Sequence, residues 1–395
     1  MLPDTQALID NLPVTVGWLR KLLEAKFGHE VQLLEVAPLS GVLGMMSALR
    51  RVRLHWNATN NTNNNELPET VIIKMPSSSQ AIQNLSSATG SDDMAAYTEK
   101  IQRIMHNNEV GAYTWLSSVS PSPIPHPQIY AAHNLATPTP IIVMEELEGN
   151  LEVLQHGFDE AQLFEITETL ARFHAHCLAD GSWKEAEFEP MEFGKMSTFG
   201  DMIKQLADGL RKGKPGFWEC LDPLFEHTDI LENYQLGLME RDSPHQILAH
   251  GDLWCPQIIW ADDGRTIRGI LDWQIAHPGS MMEDISRVLA TCTKTELRRR
   301  LQPKLFDRYY EVLKEECEKN NVTPGFGRDF LDSEFKRMLP YTLPQTLFAC
   351  GIWANSNVLK RSDADDDARV SEIFARTRAF FEDANKVLGW GMNSN

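Results

Sequence analysis

Near the middle of this chain two apolar stretches, ILAHGDLWCPQIIW (247–260) and TIRGILDWQ (266–274), flank the polar segment ADDGR. Its Asp263-Gly264 pair is a tight-turn signal, since the favoured hairpin turn needs a left-handed backbone that Gly adopts freely and Asp tolerates. The pattern predicts one β-hairpin. Its surroundings make it restrictive. After Gly149 apolar positions recur at helical spacing over 160–179, 197–212, 302–319, 329–340 and 370–388. This part of the chain is therefore expected to be mainly helical and to carry one hairpin.

Upstream of Gly149 the pattern changes. In LRRVRLHW (49–56) Val52, Leu54 and Trp56 alternate with Arg51, Arg53 and His55, the period of a half-buried strand. VQLLEVAPL (31–39), TVIIKM (70–75), QIYAAH (128–133) and PIIVMEEL (140–147) read as further strands. Helices are expected over 12–27 and 94–116. NATNNTNNN (57–65) reads as an exposed hairpin tip, and 77–92, rich in Ser, Gln and Asp, as a loop. The fold class is therefore α+β. It has a sheet-rich N-terminal lobe, residues 1–147, and a larger, mainly helical C-terminal lobe, residues 148–395. A chain of 395 residues suits two such units better than one small core.

Composition narrows the function. The formal net charge of −18 argues against nucleic acid, whose phosphates demand clustered Lys and Arg. Polar residues interrupt every apolar run before the length a membrane span needs, so no span is expected. The N-terminus lacks a basic start followed by an apolar stretch, so no secretion signal is read there. Six cysteines, at 177, 220, 255, 292, 317 and 350, include no CxxC pair. Scattered thiols fit a reducing, cytoplasmic setting rather than a disulfide framework.

The chemistry gathers at the hairpin. Asp252 and Asp272 lie at similar distances on opposite sides of the turn, and Gln257 sits between Asp252 and the turn. Two carboxylates and an amide oxygen converging there are the hard donors that suit magnesium. Upstream, Lys74 ends the apolar run Val71-Ile72-Ile73, and Glu109 lies in the following helix. A strand Lys paired with a helix Glu is how kinases hold nucleotide phosphates. Gly41 and Gly44, between the first two strands, let backbone amides approach a triphosphate.

In this order the glycine turn, IIK, helix Glu, MEEL, HGDLW and LDWQ resemble the choline/aminoglycoside kinase superfamily, most closely its ecdysteroid-kinase-like branch, over roughly residues 31–290. The resemblance implies a protein-kinase-like two-lobed fold and ATP-dependent phosphoryl transfer to a hydroxyl of a small molecule, with ATP and Mg2+ as cofactors. Asp252 would accept the hydroxyl proton and Asp272 would hold the metal. Lys74, oriented by Glu109, would contact the phosphates. Backbone groups from Glu145 to Leu147 would hold the adenine, His250 and Gly251 would shape the catalytic turn, and Asp284 would brace it. The pattern departs from the family at Gln257, where members usually carry a metal-binding Asn. That keeps a second reading open: a pseudokinase-like nucleotide or metabolite binding module with little or no transfer activity. A protein kinase is disfavoured, because HGD replaces HRD and neither DFG nor APE occurs. His174 and His176 stand two apart on a helix and face apart, so they are expected to be structural, as are His245 and His277. Trp254 and Trp273 fit either an acceptor-pocket wall or core packing.

Overall fold

The computed structural model describes residues 2–9, 12, 14–39, 47–57, 67–77, 94–186, 188–190, 197–232 and 245–391. By its internal contacts the chain divides into two compact units. One comprises residues 1–122 and 126–148, the other 123–125 and 149–395.

The first unit opens with α1 (Val16–Phe27). It starts at 16 rather than 12 because the Thr15 side chain takes the Trp18 N–H and caps it. Five strands follow: β1 (Val31–Pro38), β2 (Ser47–Trp56), β3 (Thr70–Pro76), β4 (Ile129–His133) and β5 (Ile141–Glu145). They form one antiparallel sheet in the order β1-β2-β3-β5-β4, with α2 (Met94–Ser118) inserted between β3 and β4. β3 is central, and the run Val71 to Pro76 is buried on both faces. Val52, Val71, Ile73, Met75 and Val143 pack beneath Leu19 and Leu23 of α1. The expected hairpin tip and the 77–92 loop lie almost entirely outside the described residues, as do Gly41 and Gly44.

The second unit begins with the short strand β6 (Asn150–Leu151) and α3 (Glu160–Ala179). A capping box starts α3: Asp159 accepts from the Gln162 N–H, and the Gln162 side chain accepts from the Asp159 N–H. Then come α4 (Ser197–Gly213), α5 (Asp222–Glu226), α6 (Thr228–Glu232), β7 (Ile247–Ala249), β8 (Ile258–Trp260), β9 (Ile267–Ile270), β10 (His277–Gly279), α7 (Glu283–Thr291), α8 (Thr295–Lys319), α9 (Asp329–Trp353) and α10 (Asp366–Leu388).

The single expected hairpin is in fact two small sheets. β8 and β9 pair around the Asp263-Gly264 turn, whose Asp263 carboxylate takes the N–H groups of Arg265 and Thr266. β7 leaves that hairpin and pairs with β10 instead. The arm breaks between them because Gly251 takes φ +82° and Pro256, lacking an N–H, opens a short 3₁₀ turn over 255–257. Asp252 therefore lies on the connection between two sheets, not on a hairpin arm. Two helices also outrun their expected limits. α8 begins at Thr295 and carries Pro303 inside it, and α9 continues past Pro340 and Pro344 to Trp353. In both, burial of one face outweighs the hydrogen bond each proline removes; Leu301 and Leu305 of α8, and Leu343, Leu347 and Cys350 of α9, are essentially sealed from solvent. The α+β class holds, with the sheet in the first unit and the helices concentrated in the second.

Candidate active site

In the first unit Lys74 sits on β3, aligned with Leu49 of β2 and Ile142 of β5. A charged residue there has no route to water, and Lys74 is 4% exposed. Its Nζ instead lies 2.8 Å from Oε1 and 2.7 Å from Oε2 of Glu109, which α2 brings over the sheet. Glu109 is 1% exposed. Removing two charges from water costs several kcal/mol each, so such a pair adds little stability by itself.

Glu145 ends β5. Its N–H donates to the Gln128 carbonyl at 2.8 Å, and its Oε2 accepts the Gln128 N–H at 3.0 Å. The side chain is thus engaged with the neighbouring strand. Arg51 Nε donates to both oxygens of Glu146, at 2.7 and 3.0 Å. Leu147 follows, half-buried.

In the second unit α7 holds the turn that presents Asp252. Asp284 accepts two backbone N–H groups on separate oxygens, His250 on Oδ2 and Gly251 on Oδ1, each at 2.8 Å. Burial pushes the Asp284 carboxyl up from its ordinary pKa, while His250 and these two bonds pull it down. A Cβ at position 251 would stand 2.7 Å from the Ile275 carbonyl oxygen, so both this approach and the positive φ require glycine. The His250 ring bridges the two halves of the site. Nε2 donates to the Leu271 carbonyl at 2.7 Å, and Nδ1 accepts the Asp252 N–H at 3.2 Å. Cys255 N–H donates to Cys292 Sγ, just beyond α7, at 3.2 Å.

Sequence reasoning missed Arg287. One turn along α7 from Asp284, its Nη2 donates to Asp252 Oδ1 at 2.8 Å. Its Nη1 reaches the Gln345 carbonyl of α9 at 3.3 Å, and the guanidinium lies 5.7 Å from the Trp353 ring centroid. Trp353 stacks on Trp254 at 4.7 Å, and Gln345 Nε2 donates to the Gly251 carbonyl at 2.7 Å. The i, i+3 spacing of Asp284 and Arg287 was the available signal, since residues so spaced share a helix face. Their targets depend on tertiary contact and carry no local signature.

Asp252 is held but not sealed. Its side chain is 20% exposed, and among the described residues Oδ2 has no hydrogen-bond partner. Burial raises its pKa, Arg287 opposes that, and the negative charge of Asp272 adds to the rise. Asp272 itself adopts φ 66°, ψ 57°, the left-handed region that few non-glycine residues enter. Gln257 Nε2 donates to Asp272 Oδ2 at 2.8 Å. A carboxylate only accepts, so the amide nitrogen must face it and Gln257 Oε1 is directed elsewhere. Among the described residues no group of three His, Cys, Asp or Glu side chains is placed to hold a metal by itself. Magnesium does not need one: it takes one or two carboxylates and completes its shell with water and phosphate oxygens. Asp272 is a hard oxygen donor of the right kind, and Gln257 becomes one when its amide turns its oxygen toward the ion.

The remaining candidates are packing residues. Trp273 is fully buried, with its indole N–H on the Ile270 carbonyl at 3.1 Å. His174 Nδ1 meets the Tyr309 hydroxyl at 2.6 Å, and burial lowers its pKa to about 3. His277 is buried against Glu283 at 3.1 Å. His245 packs edge-on against Phe326 and Phe330.

The DUF1679 family model, described as "Uncharacterized oxidoreductase dhs-27", matches residues 19–387. One similar protein of Caenorhabditis elegans, also named "Uncharacterized oxidoreductase dhs-27", is 24% identical over 317 residues, which are 76% of this chain and 37% of that protein. The chain thus spans little more than a third of that relative. Another from the same organism, "Uncharacterized kinase-like protein D1044.1", is 23% identical over 310 residues, 74% of this chain and 79% of that protein. Among solved structures, the GDP complex of wild-type aminoglycoside 2'-phosphotransferase-IIIa matches at 13% identity with a TM-score of 0.46, covering 91% of this chain and 97% of that one. A likeness at that level bears on neither ligand nor activity. No helix among the described residues is long and apolar enough to cross a membrane. The chain belongs to the DUF1679 family, and the choline/aminoglycoside kinase resemblance read from its motifs agrees with the kinase-like relative.

Proposed function

From that family membership and the anchored charges of its two units, we propose that the protein transfers the γ-phosphoryl group of ATP to a hydroxyl of a small molecule. The observation that carries this reading is the pair Asp252 and Asp272. Burial raises the Asp252 pKa against the opposing Arg287 guanidinium, the like charge of Asp272 adds a smaller rise, and Asp272 sits on a left-handed backbone. Such an arrangement costs stability until a cation completes it, and strain of this kind gathers at functional sites.

In the transfer, the acceptor hydroxyl gives its proton to Asp252 Oδ2. Its oxygen bonds to the γ-phosphorus, the bond from that phosphorus to the bridging oxygen breaks, and ADP leaves with the electron pair. Asp272 and the Gln257 amide oxygen are the groups that would hold magnesium, which when bound neutralises charge on the phosphates. Lys74, fixed by Glu109, would contact the phosphates, and backbone groups near Glu145 and Leu147 would hold the adenine. Gly41 and Gly44 would approach the phosphates through their N–H groups. The proposal includes a cytoplasmic setting, which six free cysteines support.

A second reading has its own support. Arg287 already occupies one oxygen of Asp252, and the Gln257 amide nitrogen already occupies one oxygen of Asp272. A site so engaged is also what a pseudokinase that binds nucleotide without turning it over would show. The oxidoreductase name carried by one relative is less well supported. A dinucleotide-binding half needs parallel strands, and every described strand pair here is antiparallel.

The test is thermal unfolding with Mg·ATP, followed by ADP release against a panel of hydroxyl compounds. A ligand bound only by the folded state raises the melting temperature by mass action. No rise at millimolar ATP sinks both nucleotide readings; a rise without turnover selects the pseudokinase.

A further inference from the structure

We infer that Arg287 is the positioning residue of the proton acceptor, acting on the reaction only through Asp252. This rests on the phosphotransfer reading above. α7 grips the catalytic turn with opposite charges one helical turn apart. Asp284 takes the N–H groups of residues 250 and 251, and Arg287 takes the side chain of residue 252. Main chain and carboxylate are therefore referenced to the same helix.

The bond to Arg287 is on Oδ1 alone. It engages one carboxylate oxygen and leaves Oδ2, which has no hydrogen-bond partner among the described residues, for the hydroxyl. Arg287 does not take that place itself. It is 4% exposed, its other terminal nitrogen is spent on the Gln345 carbonyl, and its face lies against Trp353. A guanidinium this enclosed is suited to hold a neighbour rather than to meet a substrate. Arginine also suits that role chemically. Its planar, permanently charged fork reaches a carboxylate and a carbonyl together, which a lysine ammonium on a flexible stem does not reproduce.

α9 supplies the support behind it. Gln345 gives its carbonyl to Arg287 and its side-chain amide to Gly251, so one residue ties both ends of the arrangement. Trp353 lies under the guanidinium and is itself backed by Trp254, two residues beyond Asp252. Asp252, Arg287, Gln345 and Gly251 thus form a closed ring of contacts.

The test is a mutant cycle on the full chain, with Mg·ATP hydrolysis as the turnover probe and Mg·ATP affinity from isothermal titration. Arg287→Met should lower kcat roughly ten- to a hundredfold, the scale of misplacing a reacting group by an ångström or less. Mg·ATP affinity should stay at the parent value, which also reports that the variant is folded. Arg287→Lys should fall between the two, and added guanidinium should restore part of the Arg287→Met loss. The double variant Asp252→Asn/Arg287→Met should be no slower than Asp252→Asn alone, within about twofold, because residues acting as one unit are non-additive. If the two losses multiply, Arg287 acts independently and the inference is overturned. An Arg287→Met that turns over like the parent overturns it too. Should Arg287→Met fail to fold, the same cycle with Arg287→Lys decides by the same criterion. Absence of both hydrolysis and transfer to any member of the hydroxyl panel by the parent, with Mg·ATP bound, overturns the phosphotransfer reading and this inference with it.

Discussion

Two charge pairs, one in each unit, differ in what they leave over. Lys74 and Glu109 meet at 2.7–2.8 Å, and their side chains are 5% and 1% exposed. Arg287 and Asp252 meet at 2.8 Å, but Asp252 keeps 20% exposure and an oxygen without a described partner. The first pair consumes its carboxylate, because both oxygens of Glu109 lie against one ammonium. The second spends half of its carboxylate and offers the rest. Glu109 is built to hold a cation still. Asp252 is built to be held and still accept a proton. Two pairs of similar length thus have opposite designs, and the difference sets how each should fail.

The largest effect is expected at the sealed pair. Glu109→Gln removes the negative charge that both Glu109 oxygens bring against the buried Lys74 ammonium, and stability in urea should fall by about 3–5 kcal/mol. Replacing both partners with apolar residues, Lys74→Met with Glu109→Leu, should recover most of that loss. A cost of ~1 kcal/mol for the single variant would show the pair behaves like a solvated one, and the contrast with Asp252 would collapse.

The two aspartates of the second unit should fail differently from each other. Asp252→Asn removes the proton acceptor and leaves the other charges in place. Turnover should fall by roughly a hundredfold or more while Mg·ATP affinity survives. Asp272→Asn removes a charge assigned to the metal, so magnesium-dependent nucleotide binding should weaken along with turnover. Isothermal titration of both variants separates them. Reversed behaviour would exchange their roles, and unchanged binding and turnover in both would remove the site altogether.

What the sequence made legible follows from how local each signal is. The alternation of Val52 and Leu54 with Arg51 and Arg53 is a property of one strand, and both apolar residues are buried as that pattern requires. The apolar run ending at Lys74 reads as a strand, and its burial on both faces follows from its central place in the sheet, which is not a local signal. The hairpin arm was misread where one glycine and one proline interrupt it, since Gly251 and Pro256 sit inside an otherwise continuous apolar stretch. The helix limits at Thr295 and Trp353 were misread for the converse reason: proline is a local stop signal that tertiary burial overrode. Arg287 was invisible because its partners, Asp252 and the Gln345 carbonyl, lie 35 and 58 positions away. Near it in sequence only the i, i+3 spacing from Asp284 marks it, and that places it on the same helix face without naming its targets.

A smaller effect should follow from Gly251→Ala. The left-handed backbone and the 2.7 Å approach to the Ile275 carbonyl penalise any side chain, and a loss of about 1–3 kcal/mol is expected in chemical denaturation. A neutral result would mean the turn can relax, and the rigid presentation of Asp252 would no longer separate it from Glu109.

The smallest effect is expected from Gln257→Asn, and it bears most directly on whether the site is active. Gln257 donates to Asp272 Oδ2 at 2.8 Å, so one oxygen of the candidate metal ligand is shared with an amide. Asn is one methylene shorter and cannot span the same gap without movement of the chain. The bond to Asp272 should weaken, at a stability cost of about 0.5–1.5 kcal/mol, the usual net value of one hydrogen bond. The freed carboxylate should then be more available to magnesium, whose octahedral demands tolerate little displacement of a ligand. The expected outcome is a magnesium titration of ATP turnover shifted to lower concentration, with turnover raised a few-fold, and a melting temperature slightly below that of the parent without ligand. A lower melting temperature with an unshifted titration would show that Gln257 braces Asp272 without touching the metal. In that case Asp272, like Glu109, would be a carboxylate held by a neighbour, and Asp252 alone would keep an oxygen to spare.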